Sequence, residues 1–452
     1  MGAAGQSLAE MLQSALTSDP AIAAAQAQVV AMQERVTQAK AGFGPTAVIT
    51  GNLTESRYRE APDFALRNFR SVQGVFQLTQ PVIRGTLLPA LDAARAQWLQ
   101  AQAAVAQAQA EGAQRLVEAA CDTLKSRDTL AHARAQQASA GEQLQAAARS
   151  FEVGTVAVTD LREAQAKADA VAAQVQAAQA ELGLRRQGLA DLAGAGALAP
   201  NGEGGFGSDW QTRALDGSAL PLLPADSVLQ WLSEAAAQSP QIAQARQALA
   251  MAQAELRKAG YGHAPTLDMT YSFTTAKDTG TVTSLFPRRG DTSAVGLSAN
   301  IPLFASGATQ SKVRESVALR DKAQAELDGA RRSVALAVRQ AFAGTLAALG
   351  QARGLQAAQR SQALALRANQ RGYAVGLKVN AQVLEAQSKL FEARRDLSRA
   401  RYDAWSGYIK LKALSGQLAG ADVQALDALM VTDAVEPDPL PAAPRPARNA
   451  PP

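Results

Sequence analysis

The chain has 452 residues, of which 47% are hydrophobic but only 5% aromatic, and a formal net charge of +5. Ala and Gln supply much of the bulk, as in Ala103–Gln114, which disfavours one large Leu/Ile/Phe core and favours long, closely approaching helices. The cations are scattered, in pairs such as Arg185-Arg186 and Arg331-Arg332, with no basic block interleaved with aromatics, so nucleic acid is excluded as a partner.

The one cysteine, Cys121, rules out an intramolecular disulfide, and its position speaks against an N-terminal lipid anchor. Met1–Gly5 is too short for a leader and lacks an apolar core, so an exported form is expected to be one with the signal peptide already removed. No run of 18 apolar residues occurs, so no membrane-spanning helix is expected.

Taken in order, the chain reads as a duplication. Ser18-Asp19-Pro20-Ala21-Ile22 returns as Gln238-Ser239-Pro240-Gln241-Ile242, and Pro45 returns as Pro265. Asp19 is placed to cap a helix whose first position is Pro20, and Gly42-Phe43-Gly44-Pro45 stops it. Strands follow. Ala47, Ile49, Gly51 and Leu53 alternate with Val48, Thr50, Asn52 and Thr54; Val72, Gly74, Phe76 and Leu78 alternate with Ser71, Gln73, Val75 and Gln77. From about Thr86 to Arg149 an uninterrupted helical pattern predicts a rod roughly 95 Å long. A turn near Gly154 sends the chain back as a second helix, and such a hairpin needs partner helices to bury its apolar stripe.

The second half repeats this order. Leu267, Met269, Tyr271 and Phe273 alternate with Asp268, Thr270, Ser272 and Thr274, and Val295, Leu297, Ala299 and Ile301 with Ala294, Gly296, Ser298 and Asn300. A long helix is expected from about Ala308 to Arg371, with its turn near Gly376. Repeat 1 thus spans 1–225, with strands at about 45–57 and 69–82, a helical hairpin at 86–190 and an inter-repeat segment at 191–225. Repeat 2 spans 226–420, with strands at about 265–276 and 291–304 and a hairpin at 307–415. Residues 421–452 close the chain, with a Pro-rich tail from Pro437 expected to be disordered.

Four segments of about ten residues, apolar on one face and small or polar on the other, are the pattern of a membrane β-barrel. A half-buried soluble sheet gives the same alternation. No catalytic constellation stands out. Gly202-Glu203-Gly204-Gly205-Phe206-Gly207 matches a dinucleotide-loop spacing but follows no strand. His132 and His263 lack metal-ligand spacing. The chain therefore reads as a non-enzyme, with no catalytic, cofactor-binding or metal site.

The duplicated helix-strand-strand-helix-helix order resembles the TolC family of outer-membrane efflux and type I secretion channels over about residues 7–420. Its most specific parts are Phe151-Glu152-Val153-Gly154-Thr155-Val156-Ala157-Val158-Thr159-Asp160-Leu161 and Tyr373-Ala374-Val375-Gly376-Leu377-Lys378, leading to Val383-Leu384-Glu385-Ala386-Gln387. The resemblance implies a mainly α chain with a β-barrel part. Three copies would give four strands each to a 12-stranded transmembrane barrel standing on a long α-helical periplasmic tunnel. Four strands cannot close alone, since an open edge in lipid leaves backbone groups unsatisfied.

The resemblance further implies partners: a periplasmic adaptor (membrane fusion protein), an inner-membrane ABC transporter, a secreted protein substrate and outer-membrane lipid. Val153, Gly154, Thr155, Val375, Gly376 and Leu377 would contact the adaptor or transporter. Thr159 and Asp160 would meet Tyr373 and Lys378 as a latch, with Lys378 where the family usually has arginine. Gln382 and Glu385 would form the constriction, with Gln382 departing from the family's acidic pair. The expected function is a passive exit duct for type I protein secretion. Alternatives are multidrug efflux and, from other classes, a soluble periplasmic coiled-coil adaptor or an unrecognised hydrolase.

Overall fold

Two runs of elements in the same order make up the chain. The first is α1 (Leu8–Ser18), α2 (Pro20–Ala41), β1 (Thr46–Arg59), β2 (Leu66–Ile83), α3 (Leu87–Glu152) and α4 (Val158–Ala193). The second is α5 (Val228–Gln238), α6 (Pro240–Gly260), β3 (Thr266–Asp278), β4 (Arg288–Asn300), α7 (Ala308–Ala374) and α8 (Asn380–Ser415), after which α9 (Gly420–Met430) ends the described chain. This computed structural model describes residues 8–59, 66–154, 157–194, 220–224, 227–280, 286–375 and 377–430. The Gly202–Gly207 motif and the Pro-rich tail from Pro437 lie outside them.

The repeat is visible in the element starts. Leu8 and Val228, Pro20 and Pro240, and Thr46 and Thr266 are each 220 residues apart. Leu87 and Ala308 are 221 apart, and Val158 and Asn380 are 222 apart. The last step is one extra residue inside the long helix, since α3 has 66 residues and α7 has 67.

Two features depart from the expected order. A short helix, α1 or α5, opens each repeat where none was expected. A residue before proline is pushed out of the α region, so Asp19 and Ser239 separate these helices from α2 and α6. Asp19 then caps α2, its Oδ1 accepting the Ala21 N–H at 2.7 Å. The fourth strand, expected at about 291–304, runs from Arg288 to Asn300. Pro302 has no N–H to donate to a ladder, and the residues gained lie on the hairpin side.

The chain divides into two compact units. One holds residues 26–104 and 241–330. It contains a four-stranded antiparallel sheet in the order β1-β2-β3-β4. The β1 and β4 ladder edges are unpaired among the described residues. Helices lead into β1 and β3 and out of β2 and β4, so all four strand–helix junctions share one end of the sheet and both hairpin connections share the other. Arg84 on the chain leaving β2 meets Asp268 of β3 at 2.9 Å, and Arg257 of α6 meets Asp92 of α3 at 2.9 Å.

The other unit holds residues 1–25, 105–240 and 331–452. Its main core gathers Leu8, Met11, Leu12 and Ala15 of α1, Leu116, Val117, Cys121 and Leu124 of α3, Leu189 of α4, Trp405 and Ile409 of α8, and Val423 and Leu426 of α9. Cys121 is fully buried, and burial pushes its thiol up to about 12, so it behaves as a small core hydrophobe. Lys125 of α3 bridges Asp122 at 2.9 Å and Asp403 of α8 at 2.6 Å. Burial lowers the Lys125 pKa, but the hydrogen bonds it donates to Asp403 and Asp122 outweigh it and leave the ammonium charged.

Helix α7 contains one 18-residue stretch apolar enough to cross a membrane by composition, and a third of that stretch is buried. Val334, Val338, Phe342 and Leu349 lie buried along this helix at four- and seven-residue spacings. That is the stripe of a helix packed against other helices.

Helix α8 ends in a Schellman turn. Gly416 N–H bonds the Ala413 carbonyl at 3.2 Å and Gln417 N–H the Lys412 carbonyl at 2.9 Å. Gly416 has φ +76°, and a Cβ there would overlap the Gln238 backbone carbonyl. Gly416→Ala is expected to destabilise the helical unit by about 2–4 kcal/mol, combining left-handed strain and overpacking. A drop in the thermal midpoint by circular dichroism checks this; an unchanged midpoint refutes it.

Candidate functional site

The sheet register decides which side chains share a face. In β1–β2, Ala47 pairs with Leu78, Ile49 with Phe76, Gly51 with Gly74 and Leu53 with Val72. In β2–β3, Phe76 pairs with Phe273 and Leu78 with Tyr271. In β3–β4, Tyr271 pairs with Val295 and Met269 with Leu297. The four apolar rows therefore form one continuous face, with Phe76 and Tyr271 in edge-to-face contact at 6.3 Å. Thr50, Gln73, Thr274 and Ser298 belong to the opposite rows.

No described residue covers the apolar face. Ile49 is 79% exposed, Phe273 41% and Val295 75%. The apolar rows also slant. From the hairpin side they begin at Leu53, Val72, Phe273 and Val295, which shifts the band by about six residues across three strand intervals. At ~3.3 Å per residue and ~4.8 Å between strands this is a slope of roughly 50°. A membrane slab cutting across tilted barrel strands produces such a slant, the usual tilt being about 35–45°. A layer formed by the chain's own described residues would bury this band, and it is bare.

The other unit ends in two helical turns. In the first, Val153 and Gly154 follow α3, and Thr159 and Asp160 lie exposed in the first turn of α4. Thr155 lies outside the described residues. In the second, Tyr373 lies in the last turn of α7, Val375, Leu377 and Lys378 are exposed in the turn, and Gly376 lies outside the described residues. Leu377 and Lys378 both donate their backbone N–H to the Gly372 carbonyl, at 2.8 and 3.2 Å. Val153, Val375 and Leu377 are 77%, 70% and 81% exposed. Among the described residues, no side-chain hydrogen bond or ion pair joins Thr159 or Asp160 to Tyr373 or Lys378 within one chain.

Beyond the second turn, Val383, Ala386 and Leu390 of α8 pack against Leu366 of α7, and Asn369 bonds the Gln382 carbonyl at 3.3 Å. That burial turns Gln382, Glu385, Lys389 and Glu392 outward as one exposed stripe at three- and four-residue spacings. Lys389 and Glu392 extend the stripe beyond the two expected constriction residues, at a spacing legible in the sequence. Glu385 and Lys389 form an ion pair at 2.6 Å. The hydrogen bond and charge of Lys389 hold the Glu385 carboxyl below the usual range, and Glu385 in turn raises Lys389.

Residues 11–195 and 231–417 match the family described as "Outer membrane efflux protein". The chain belongs to that family. It is 27% identical over 427 residues to "Outer membrane protein TolC" of Vibrio cholerae, covering 94% of this chain and 93% of that protein. It is 27% identical to "Proteases secretion protein PrtF" of Dickeya chrysanthemi, covering 92% of this chain and 89% of that one. The fold matches the outer membrane protein VceC from Vibrio cholerae with a TM-score of 0.72 at 20% identity, over 90% of this chain and 96% of that structure.

The slanted apolar face is thus the lipid face of a β-barrel in the outer membrane of a Gram-negative bacterium, and the helices extend into the periplasm. The protein is a channel of efflux or type I secretion and not an enzyme. Channels of this family are trimeric and work with an adaptor and an inner-membrane transporter.

Proposed function

We propose that the chain is the exit duct of a type I protein-secretion system, with three copies closing one 12-stranded barrel. The observation that carries this reading is the near full-length similarity to a protein named for protease secretion. The unpaired edges of β1 and β4 support closure by further copies, since lipid cannot satisfy their backbone groups. The exposed apolar tips at Val153, Val375 and Leu377 supply a surface for the periplasmic adaptor. In-cell cross-linking of the tagged chain, followed by purification, tests the assignment. An adaptor and an ABC transporter should co-purify, and deletion should trap the secreted protein inside the cell. Recovery of an ion-driven drug transporter in their place would assign the chain to multidrug efflux. A chain extracted without detergent would instead favour the soluble adaptor.

The same reading places Thr159 and Asp160 opposite Tyr373 and Lys378 of a neighbouring hairpin, as a latch that holds the periplasmic mouth shut. Lys378 offers a point charge without the bidentate fork of arginine, so each contact is weak and the closure depends on threefold repetition. Tyr373→Phe combined with Lys378→Ser is expected to raise single-channel conductance in planar bilayers severalfold. Unchanged conductance in a correctly assembled double mutant removes the latch.

A further inference from the structure

The outward rows of the sheet do not end with the apolar band. On the hairpin side of it, the same rows continue as Arg57 and Arg59 of β1, Arg70 of β2, Lys277 of β3 and Arg289 of β4. All five are exposed, and none makes an ion pair among the described residues. Two carboxylates, Glu55 and Asp291, share these rows, so the belt carries a net charge of about +3 per chain at neutral pH. The cations follow the slant of the band: Lys277 and Arg289 pair with each other in the row of Val72 and Leu53. Where a membrane barrel commonly sets an aromatic girdle at the headgroup level, the outward rows described here carry guanidinium and ammonium groups.

Every strand reaches the helices from the opposite end, so this belt lies on the cell-surface side of the lipid band. We infer that it is a binding surface for the phosphate groups of the anionic glycolipid that forms the outer leaflet. The inference rests on the outer-membrane location and the lipid-facing direction of the apolar rows, and not on which export system the duct serves. Charge complementarity selects the occupant. Guanidinium groups pair with phosphate oxygens in bidentate fashion, and several spaced along a belt at headgroup depth match a lipid bearing more than one phosphate. Low-dielectric surroundings strengthen such pairs relative to the same groups in water.

The test uses the full chain, assembled and reconstituted in phosphatidylcholine nanodiscs that contain bis-phosphorylated lipid A or its dephosphorylated form. Native mass spectrometry after detergent release reads the lipid A retained per assembly. The unsubstituted protein should retain at least fivefold more phosphorylated than dephosphorylated lipid. The triple variant Arg57→Gln, Arg70→Gln, Arg289→Gln should lose that preference. Arg288→Gln, one residue away but on the opposite rows facing Asp278, should keep it. If the triple variant fails to assemble, Arg57→Gln and Arg289→Gln are read singly, and each should lower retention about twofold. Equal retention of both lipid forms, an unaffected outward variant or an equal loss in Arg288→Gln would overturn the proposal. Displacement of lipid A by millimolar inorganic phosphate would assign the belt to free anions and overturn it as well.

Discussion

Phe273→Arg is expected to abolish assembly in the outer membrane, whereas Ser272→Arg leaves it within about twofold of the unsubstituted level. The two positions are adjacent on β3, but the register puts Phe273 in line with Phe76 on the bare apolar face and Ser272 beside Gln77 on the other. A cation on the lipid face costs about 2–4 kcal/mol at mid-membrane and about 1 kcal/mol toward the interface, where Phe273 begins the apolar row of β3, and closure by three copies incurs that cost three times. On the lumen side the guanidinium stays in water and costs little. Heat-resistant oligomer on gels of outer-membrane fractions is the readout, and the Phe273 variant should fall at least a hundredfold. Comparable oligomer in both variants would mean that the apolar face does not meet lipid. The contrast between neighbours separates membrane burial from a general intolerance of charge in β3, because a soluble sheet with a covered face would also reject Phe273→Arg but would leave the protein soluble.

A weak cation selectivity that vanishes in Glu385→Gln and strengthens in Lys389→Gln is the second large effect expected. The outward stripe of α8 reads Gln382, Glu385, Lys389, Glu392, a net charge of −1 if all three charged groups are ionised. In the proposed three-copy duct, with the stripe set on a narrow lumen, that excess is expected to attract counter-cations and repel anions. The ion pair between Glu385 and Lys389 offsets part of the field, so selectivity is weaker than a ring of unpaired carboxylates would give. Removing the Glu385 charge leaves Lys389 and Glu392 in balance and brings the reversal potential under a salt gradient close to zero. Removing the Lys389 charge doubles the net negative charge and moves the potential toward the ideal cation value.

The sign with pH follows from the direction of the shift. Lys389 lowers the Glu385 pKa, so the carboxylate keeps its charge, and the channel its selectivity, until the pH falls below the ordinary glutamate range. In Lys389→Gln that support is gone, and the loss begins at higher pH. Reversal potentials that are identical in all three proteins would place the stripe away from the conducting path.

The sequence by itself determined the duplication, the strands and the long helices. Those features are set by local chemistry repeated at fixed distances: Asp19-Pro20 and Ser239-Pro240 start helices, Gly154 at positive φ turns the first hairpin, and period-two alternation marks each strand. It also gave the family, because two whole tip segments matched together. It did not give the short helices α1, α5 and α9, whose 11 residues each hold too few turns to stand alone. Their stability comes from cores such as that joining Leu8 and Met11 to Leu116 and Ile409.

Two decisions belonged to the tertiary structure. Alternation in one strand cannot distinguish lipid from a protein layer; only the pairing of Ile49 with Phe76 and Phe76 with Phe273 shows four rows merging into one slanted, uncovered face. Likewise, a glutamate in a helix carries no address. Burial of Val383, Ala386 and Leu390 against Leu366 fixes the rotation of α8, and that rotation turns Glu385 and Lys389, neighbours by their four-residue spacing, to the exposed side. Side-chain chemistry is local and legible in the chain, whereas the direction a face points depends on contacts between residues far apart in it.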